Sequence, residues 1–215
     1  MDFTGAATGK KGVKMRCDLC TDKACKQGRD CLGERDNVVQ NMYSSPEDQK
    51  IMQVAAAIEV DFYFQKSRLE ELIIFCRGMN YKHLGVVFCL GLEKEARILC
   101  TLLRKYFTVS SVCCRICGVP KEDLGLKKRD PHKQEIICNP LMQAKVLEDE
   151  HTELNIIAGL CLGHDILFTK YSHAPVTTLI VKDRLLAHNP VGAIYSRYYT
   201  SRIERGGKVE EIKYD

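Results

Sequence analysis

The sequence contains no tryptophan and no apolar run near the length of a membrane-spanning helix. A helix that crosses a bilayer needs roughly 20 predominantly apolar residues, so we expect no membrane partner. The opening segment, MDFTGAATGKKGVKMRC, also lacks the apolar centre of a secretory signal peptide. These absences together predict a cytoplasmic protein.

A strong charge imbalance is also missing. The chain has 215 residues, of which 32 are basic and 28 are acidic, and its formal net charge is +4. Basic and acidic residues are interspersed, without the long basic block that is typical of nucleic-acid-binding proteins. We therefore do not expect a nucleic-acid partner. The sequence does not identify a small-molecule or protein partner, an oligomeric state or an enzymatic reaction.

Cysteine is the residue type that the chain has in excess. Twelve cysteines are more than core packing alone explains in a chain of this length. In a reducing compartment, clustered thiols more commonly bind metals or take part in catalysis than form disulfides. The positions of the cysteines are therefore the main guide to function.

From residue 83 onward, apolar β-branched runs alternate with helical patterns, which indicates a parallel sheet with crossover helices. Strands are predicted at 83–89, 107–113, 154–161 and 176–181. The predicted fold class is α/β: a small doubly wound, mainly parallel sheet with an N-terminal cysteine-rich metal-binding arm and a helical segment. The predicted segments are a disordered leader at 1–14, the arm at 15–40, the helical segment at 41–80, the α/β domain at 81–192 and a C-terminal tail or hairpin at 193–215.

Four cysteines of the arm have the spacing C-x2-C-x4-C-x5-C; they are Cys17, Cys20, Cys25 and Cys31. Two thiolates separated by two residues can reach one ion, and four thiolates fit tetrahedral zinc or an iron–sulfur cluster. We favour zinc as the cofactor, with an iron–sulfur cluster as the alternative, because nothing in the sequence requires redox chemistry. Four free thiols on a solvated arm are the remaining alternative.

A second group of cysteines lies where predicted strands end or the next helix begins; its members are Cys89, Cys114, Cys138 and Cys161, with His164 close behind. The carboxyl ends of parallel strands meet at one edge of a sheet, so we predict a second thiol or metal site there, with redox chemistry as one option. Burial in the core is the alternative, because free cysteine often packs as a small hydrophobe. Cys76 and Cys100, on apolar helix faces, are assigned to the core.

Two other functions remain open at this point. The sequence GLCLG at 159–163 matches a nucleophile elbow in which cysteine replaces serine. Asp183 and His188 follow in the order acid and base, which makes Cys161 a candidate catalytic residue of a cysteine hydrolase. The other alternative is a zinc-stabilised interaction module without catalysis.

Several motifs carry a family resemblance: the four-cysteine pattern at 17–31, GVVFCLGLEKEA at 85–96, SVCCRICG at 111–118, CNPLMQA at 138–144 and GLCLGHDILFTKYSHAPVTTLIVKDRLLAHNP at 159–190. Over about residues 15–200, the chain resembles a family known only as domain of unknown function 1847. Its members are small bacterial and archaeal proteins described as predicted metal-binding. The resemblance implies metal binding through Cys17, Cys20, Cys25 and Cys31, and it implies no reaction.

Overall fold

The computed structural model describes residues 15–205. The predicted leader at 1–14 and residues 206–215 of the predicted tail lie outside the described residues. The chain divides into two compact units, Met1–Lys50 and Ile51–Asp215. The boundary between them falls within the helical segment predicted at 41–80.

The described part of the first unit consists of short turns, and none of residues 15–50 is buried. Aspartate side chains stabilise these turns by accepting hydrogen bonds from nearby backbone N–H and guanidinium groups. Asp22 accepts a hydrogen bond from Arg29 Nη2 at 2.9 Å, and Asp30 accepts from three backbone N–H groups between residues 32 and 35. The short elements are 3₁₀ turns at Cys17–Leu19 and Ala24–Gln27, helix α1 at Arg35–Asn37 and a π-helical turn at Val38–Met42.

The helical segment forms two helices, α2 at Pro46–Asp61 and α3 at Arg68–Met79. Helix α2 begins with Pro46 and carries acidic residues in its first turn, as the sequence predicts for the positive end of a helix. Ser67 and Glu70 form a capping box that begins α3, since each side chain satisfies a backbone N–H of the other.

The predicted alternation of strands and helices is confirmed, although each strand ends one to three residues earlier or begins one residue later than predicted. The elements are β1 at His83–Phe88, α4 at Glu93–Leu103, β2 at Thr108–Cys113, α5 at Pro140–Asp149, β3 at Leu154–Ala158, α6 at Leu162–Tyr171 and β4 at Val176–Ile180. Short 3₁₀ turns lie at Leu90–Leu92, Ile116–Gly118 and Lys121–Leu124. Helices α7 at Val191–Tyr195 and α8 at Arg197–Glu204 occupy the region where the sequence suggested a tail or hairpin.

The sheet has the strand order β2-β1-β3-β4, and all of its pairings are parallel. From β1 the chain moves outward to β2 and then crosses to the other side of β1 to form β3. The topological switch point therefore lies between β1 and β3. In open α/β sheets, ligands bind beyond the carboxyl ends of the strands at this point.

Hydrophobic side chains cover both faces of the sheet, since successive residues of a strand point to opposite faces. Leu84, Val86 and Ile156 belong to one buried cluster with residues of α3 and α4. Val87 and Ile157 belong to a second cluster with residues of α5 and α6. This packing confirms the α/β class, and Cys76 and Cys100 are buried in the first cluster, as predicted. Within residues 15–205, no helix is both long and apolar enough to cross a bilayer.

Candidate functional site

Two of the predicted site thiols lie at the topological switch point. Strand β1 ends at Phe88, and its parallel neighbour β3 ends at Ala158. Cys89 follows β1 directly, and its backbone N–H donates to Gly159 O at 3.0 Å. Cys161 follows β3 after two intervening residues and is the N-cap residue of α6. The two thiols therefore border the crevice in which this class of fold binds ligands.

The turn that carries Cys161 depends on Gly159. Its φ is +80°, and a Cβ at this position would lie 2.8 Å from Leu92 Cδ1. Glycine alone adopts this left-handed backbone without a steric penalty. By contrast, a Cβ on Gly163 would meet no atom within 4 Å. Of the two glycines in the GLCLG motif, only the first is required by its surroundings.

Backbone hydrogen bonds bring Cys114 and Cys138 to the same edge of the sheet. Cys114 N donates to Phe88 O at 2.9 Å, which ties the end of β2 to the end of β1. Asn139 N donates to Cys114 O at 2.7 Å. Asn139 also caps α5, because its Oδ1 accepts a hydrogen bond from Met142 N at 3.0 Å. The start of α5 thus places Cys138 beside Cys114.

Hydrogen bonding between neighbouring thiols, Cys89 with Cys114 and Cys114 with Cys138, shifts the pKa values of all three side chains. Donation to Cys114, together with burial, raises the pKa of Cys89 to about 12. Donation to Cys138, together with burial, raises the pKa of Cys114 to about 11. Cys138 is the terminal acceptor, and its pKa is lowered because the Cys114 thiol stabilises its thiolate.

Two cations reach these thiols from the loop that follows β4. Lys182 Nζ contacts Cys89 Sγ and lies 3.6 Å from Cys161 Sγ. Arg184 Nη2 donates to Cys161 Sγ at 3.0 Å. Desolvation opposes the charge of Lys182, but its contacts with the two thiols outweigh this effect and raise its pKa. Cations in such contact favour the thiolate form of cysteine.

Gln143 holds the ends of two strands from the buried side of α5. Its Nε2 donates to Val112 O at 2.8 Å and to Phe88 O at 3.4 Å. Its Oε1 is buried without a hydrogen-bond partner in the described part of the chain. Phe88 directly precedes Cys89, and Val112 lies two residues before Cys114. It is therefore a positioning residue for the thiol cluster.

Lys182, Arg184 and Gln143 were not among the predicted site residues. A signal for the two cations was available, because both follow a predicted strand end at the edge where the thiols were expected. A sequence signal for Gln143 was its helical spacing, which places it on the same face of α5 as three residues that are buried: Pro140, Ala144 and Leu147. An amide side chain that is buried on such a face needs a specific hydrogen-bond partner.

Among the residues predicted for a hydrolase, the side chains of Asp183 and His188 accept hydrogen bonds from backbone N–H groups, and the Cys161 thiol contacts cations. His188 Nδ1 accepts a hydrogen bond from Asp183 N at 3.2 Å. The Asp183 carboxylate accepts from two backbone N–H groups of the turn that follows it, each at 2.8 Å. Cys161 contacts Arg184 and Lys182, as described above. His164 is half-buried in the first turn of α6, and its backbone N–H donates to Cys161 O at 2.8 Å.

The four arm thiols lie in separate local turns. Cys20 Sγ lies 3.4 Å from Asp22 Oδ1, and Cys31 Sγ lies 4.0 Å from Arg29 O. Across residues 15–205, no group of three or more His, Cys, Asp or Glu side chains is arranged to hold a metal ion. A metal at either predicted site would therefore require the thiol side chains to reorient around the ion.

A family model described as a protein of unknown function, DUF1847, matches residues 29–179. The chain belongs to this family. The segment matched to DUF1847 contains all four predicted thiols of the sheet edge, whereas it contains only Cys31 of the arm cysteines. An uncharacterized protein of Methanocaldococcus jannaschii is 49% identical over 192 residues, which cover 89% of this chain and 100% of that relative. No solved structure matches the chain. The resemblance inferred from the motifs is thus confirmed, and DUF1847 itself supplies no function.

Proposed function

We propose that this DUF1847 protein binds a thiolate-ligated metal centre at the carboxyl edge of its sheet. The ligands would be Cys89, Cys114, Cys138 and Cys161. The observation that carries the proposal is that Cys89, Cys114, Cys138 and Cys161 come together at one edge of the sheet, where Lys182 contacts the thiols of Cys89 and Cys161. Zinc is the favoured metal and an iron–sulfur cluster is the alternative, because both take four soft thiolate ligands.

The two cations support a thiolate centre over simple packing. Four thiolates around a zinc ion or an iron–sulfur cluster leave a net negative charge, which is unfavourable in a partly buried place without nearby cations. Lys182 and Arg184 already donate to sulfur at this edge. A structural thiol needs no such partner. Cys76 is an example, because burial among apolar side chains raises its pKa to about 12.

The arm is proposed as a second, structural zinc site with Cys17, Cys20, Cys25 and Cys31 as ligands. The supporting observation is that none of residues 15–50 is buried, so this segment has no core of its own. In small cysteine-rich segments, metal binding supplies the folding free energy that burial does not. Three of the arm thiols are exposed and Cys20 is half-buried, so all four are accessible to such an ion.

Metal analysis and absorption spectroscopy of anaerobically purified protein test the proposal. Zinc at both sites would give about two zinc ions per chain and a colourless sample. An iron–sulfur cluster at the sheet edge would give iron, inorganic sulfide and visible absorption. Protein that carries neither metal, and that takes up neither zinc nor cobalt when they are added anaerobically, overturns the proposal.

Matched alanine variants separate the two sites. Cys114 and Cys100 are similarly buried, at 1% and 3% exposure, but only Cys114 belongs to the thiol cluster. Cys114→Ala should lose the metal of the sheet edge and keep that of the arm, whereas Cys25→Ala should do the reverse. Cys100→Ala should keep both. Equal metal content in Cys114→Ala and Cys100→Ala would remove the sheet-edge site.

A further inference from the structure

A cavity of about 710 Å³ lies in the second unit, between helices α2 and α3 and strand β4. None of the sheet-edge thiols lines it, so it is separate from the proposed metal centre. Sites for small molecules usually have volumes of about 300 to 1,000 Å³. Within residues 15–205, strand β4 is hydrogen-bonded to a neighbouring strand on one side only, and Pro175 to Leu179 all line the cavity. The cavity therefore runs along the edge of the sheet.

Aromatic side chains form much of its wall; they are Tyr63, Phe64, Phe75 and Tyr81. Two of them are exposed at the turn between α2 and α3, where the rings of Tyr63 and Phe64 meet edge to face at 4.6 Å. Phe64 is 94% exposed and has a φ of +55°, which is unusual for a bulky residue. Contiguous exposed apolar groups are typical of ligand and partner sites, and these two rings extend the aromatic wall of the cavity.

The two cations that line the cavity are already engaged. Lys66 Nζ lies 3.6 Å from a Glu70 carboxylate oxygen. Arg68 donates to Thr178 O at 3.4 Å and to Thr177 Oγ1 at 3.3 Å, so it covers the free edge of β4. Because exposed edges attract other strands, this contact also disfavours the addition of an extended peptide.

The two carboxylates that line the cavity are not engaged. Neither Glu59 nor Glu71 has a side-chain hydrogen bond or ion pair within residues 15–205. Glu71 is half-buried, so its charge is partly shielded from solvent. The cavity thus combines aromatic walls with two unpaired carboxylates, whose negative charge exceeds the positive charge of Arg68, because Lys66 is paired with Glu70.

We infer that this cavity binds a small organic cation with an apolar body, of the aryl- or alkylammonium class. Aromatic faces attract ammonium groups, and the unpaired carboxylates supply the complementary charge. The apolar walls bury the body of the ligand. An anion of the same shape would meet two carboxylates and a single cation, Arg68, that has no carboxylate partner within residues 15–205.

Three indole probes of similar shape test the inference on the full chain: tryptammonium, tryptophol and indoleacetate. The chain lacks tryptophan, so indole emission reports on the probe without a protein background. Tryptammonium should bind with a blue shift of its emission, and it should bind about tenfold more tightly than indoleacetate. The affinity for tryptophol should lie between the affinities for tryptammonium and indoleacetate.

Substitutions of a carboxylate and of an aromatic ring in the cavity test whether these groups cause the preference for tryptammonium. Glu71→Gln should weaken tryptammonium binding about fivefold and leave tryptophol binding unchanged. Phe64→Ala removes an exposed ring and should weaken the binding of tryptammonium more than the binding of tryptophol. Glu95→Gln is the matched control, because Glu95 is exposed on α4 and does not line the cavity.

Several outcomes would overturn the inference. Equal affinity for all three probes would mean an apolar cavity without charge selection, and tighter binding of indoleacetate would reverse the assignment. No emission shift with any probe would remove the site. Light scattering that shows a dimer, with probe binding only after dilution to monomer, would assign the cavity to a second copy of the chain.

Discussion

Gly159 carries the clearest single-residue prediction, because its backbone is left-handed and a Cβ at this position would crowd Leu92. Gly159→Ala would combine left-handed backbone with a Cβ against Leu92, so we expect it to lower the free energy of unfolding by about 1–3 kcal/mol. Gly163→Ala is the control, since open space surrounds that position in α6. It should change stability by less than about 1 kcal/mol. Urea unfolding measures both, and similar losses would contradict the prediction.

Glu135 organises the loop that leads from Cys114 to Cys138. Its carboxylate accepts hydrogen bonds from Lys121 Nζ at 2.7 Å and from the backbone N–H groups of residues 129 and 130 at 2.8 and 3.0 Å. Lys121 and these backbone groups lower the pKa of Glu135 from 4.5 to about 2. The charged form is therefore the one that the folded loop stabilises.

This depressed pKa predicts a pH-dependent contribution to stability. The contribution is fully present above the unfolded-state pKa near 4.5 and is lost as pH falls toward the folded-state value of about 2. Glu135→Gln should lower the Tm at neutral pH. The difference in Tm between this variant and the wild type should shrink as the pH falls from about 4.5 to about 2. Circular dichroism melts at several pH values measure this. Glu95→Gln should show no such trend, and a constant gap for Glu135→Gln would contradict the assignment.

At the scale of elements, helix α5 joins the ends of β1 and β2 through Gln143. Gln143→Leu would leave the Val112 and Phe88 carbonyl groups without this donor, so we expect a loss of about 1–3 kcal/mol in the free energy of unfolding. Gln53→Leu, on the exposed side of α2, should stay within about 0.5 kcal/mol. Chemical denaturation of the two variants compares them. Equal stability would mean that α5 holds the strands by apolar packing alone.

The strands themselves could be predicted because a parallel sheet is buried on both faces, so its strands are continuous apolar runs. The run from Leu154 to Ala158 is an example, since all of its residues are buried. The predicted end at 161 was too late for β3. Leu160 is buried as well, at 2% exposure, but it lies in the loop after the strand. Hydrophobicity marks burial and does not show where the ladder of hydrogen bonds stops.

For the whole molecule, the described hydrophobic core begins at Ile58 and continues into the α/β part of the second unit. We therefore expect a chain that starts at residue 44, which retains Ser45 and all of α2, to unfold cooperatively. Its Tm should lie close to that of the full chain, as calorimetry or circular dichroism would show. It should also lack only the metal proposed for the arm. A broad, non-cooperative transition would show that residues 1–43 are needed for the core.

The sequence by itself determined the cysteine positions, the apolar runs that became strands and the helix start at Pro46. It also indicated that thiols after parallel strands share one edge, because all strands of such a sheet point the same way. It did not determine which residues meet there. Lys182 contacts Cys89 across 93 residues of chain, and that contact follows from the strand order β2-β1-β3-β4. Only the tertiary structure decided that order, because hydrophobic periodicity is local and carries no information about which strands become neighbours.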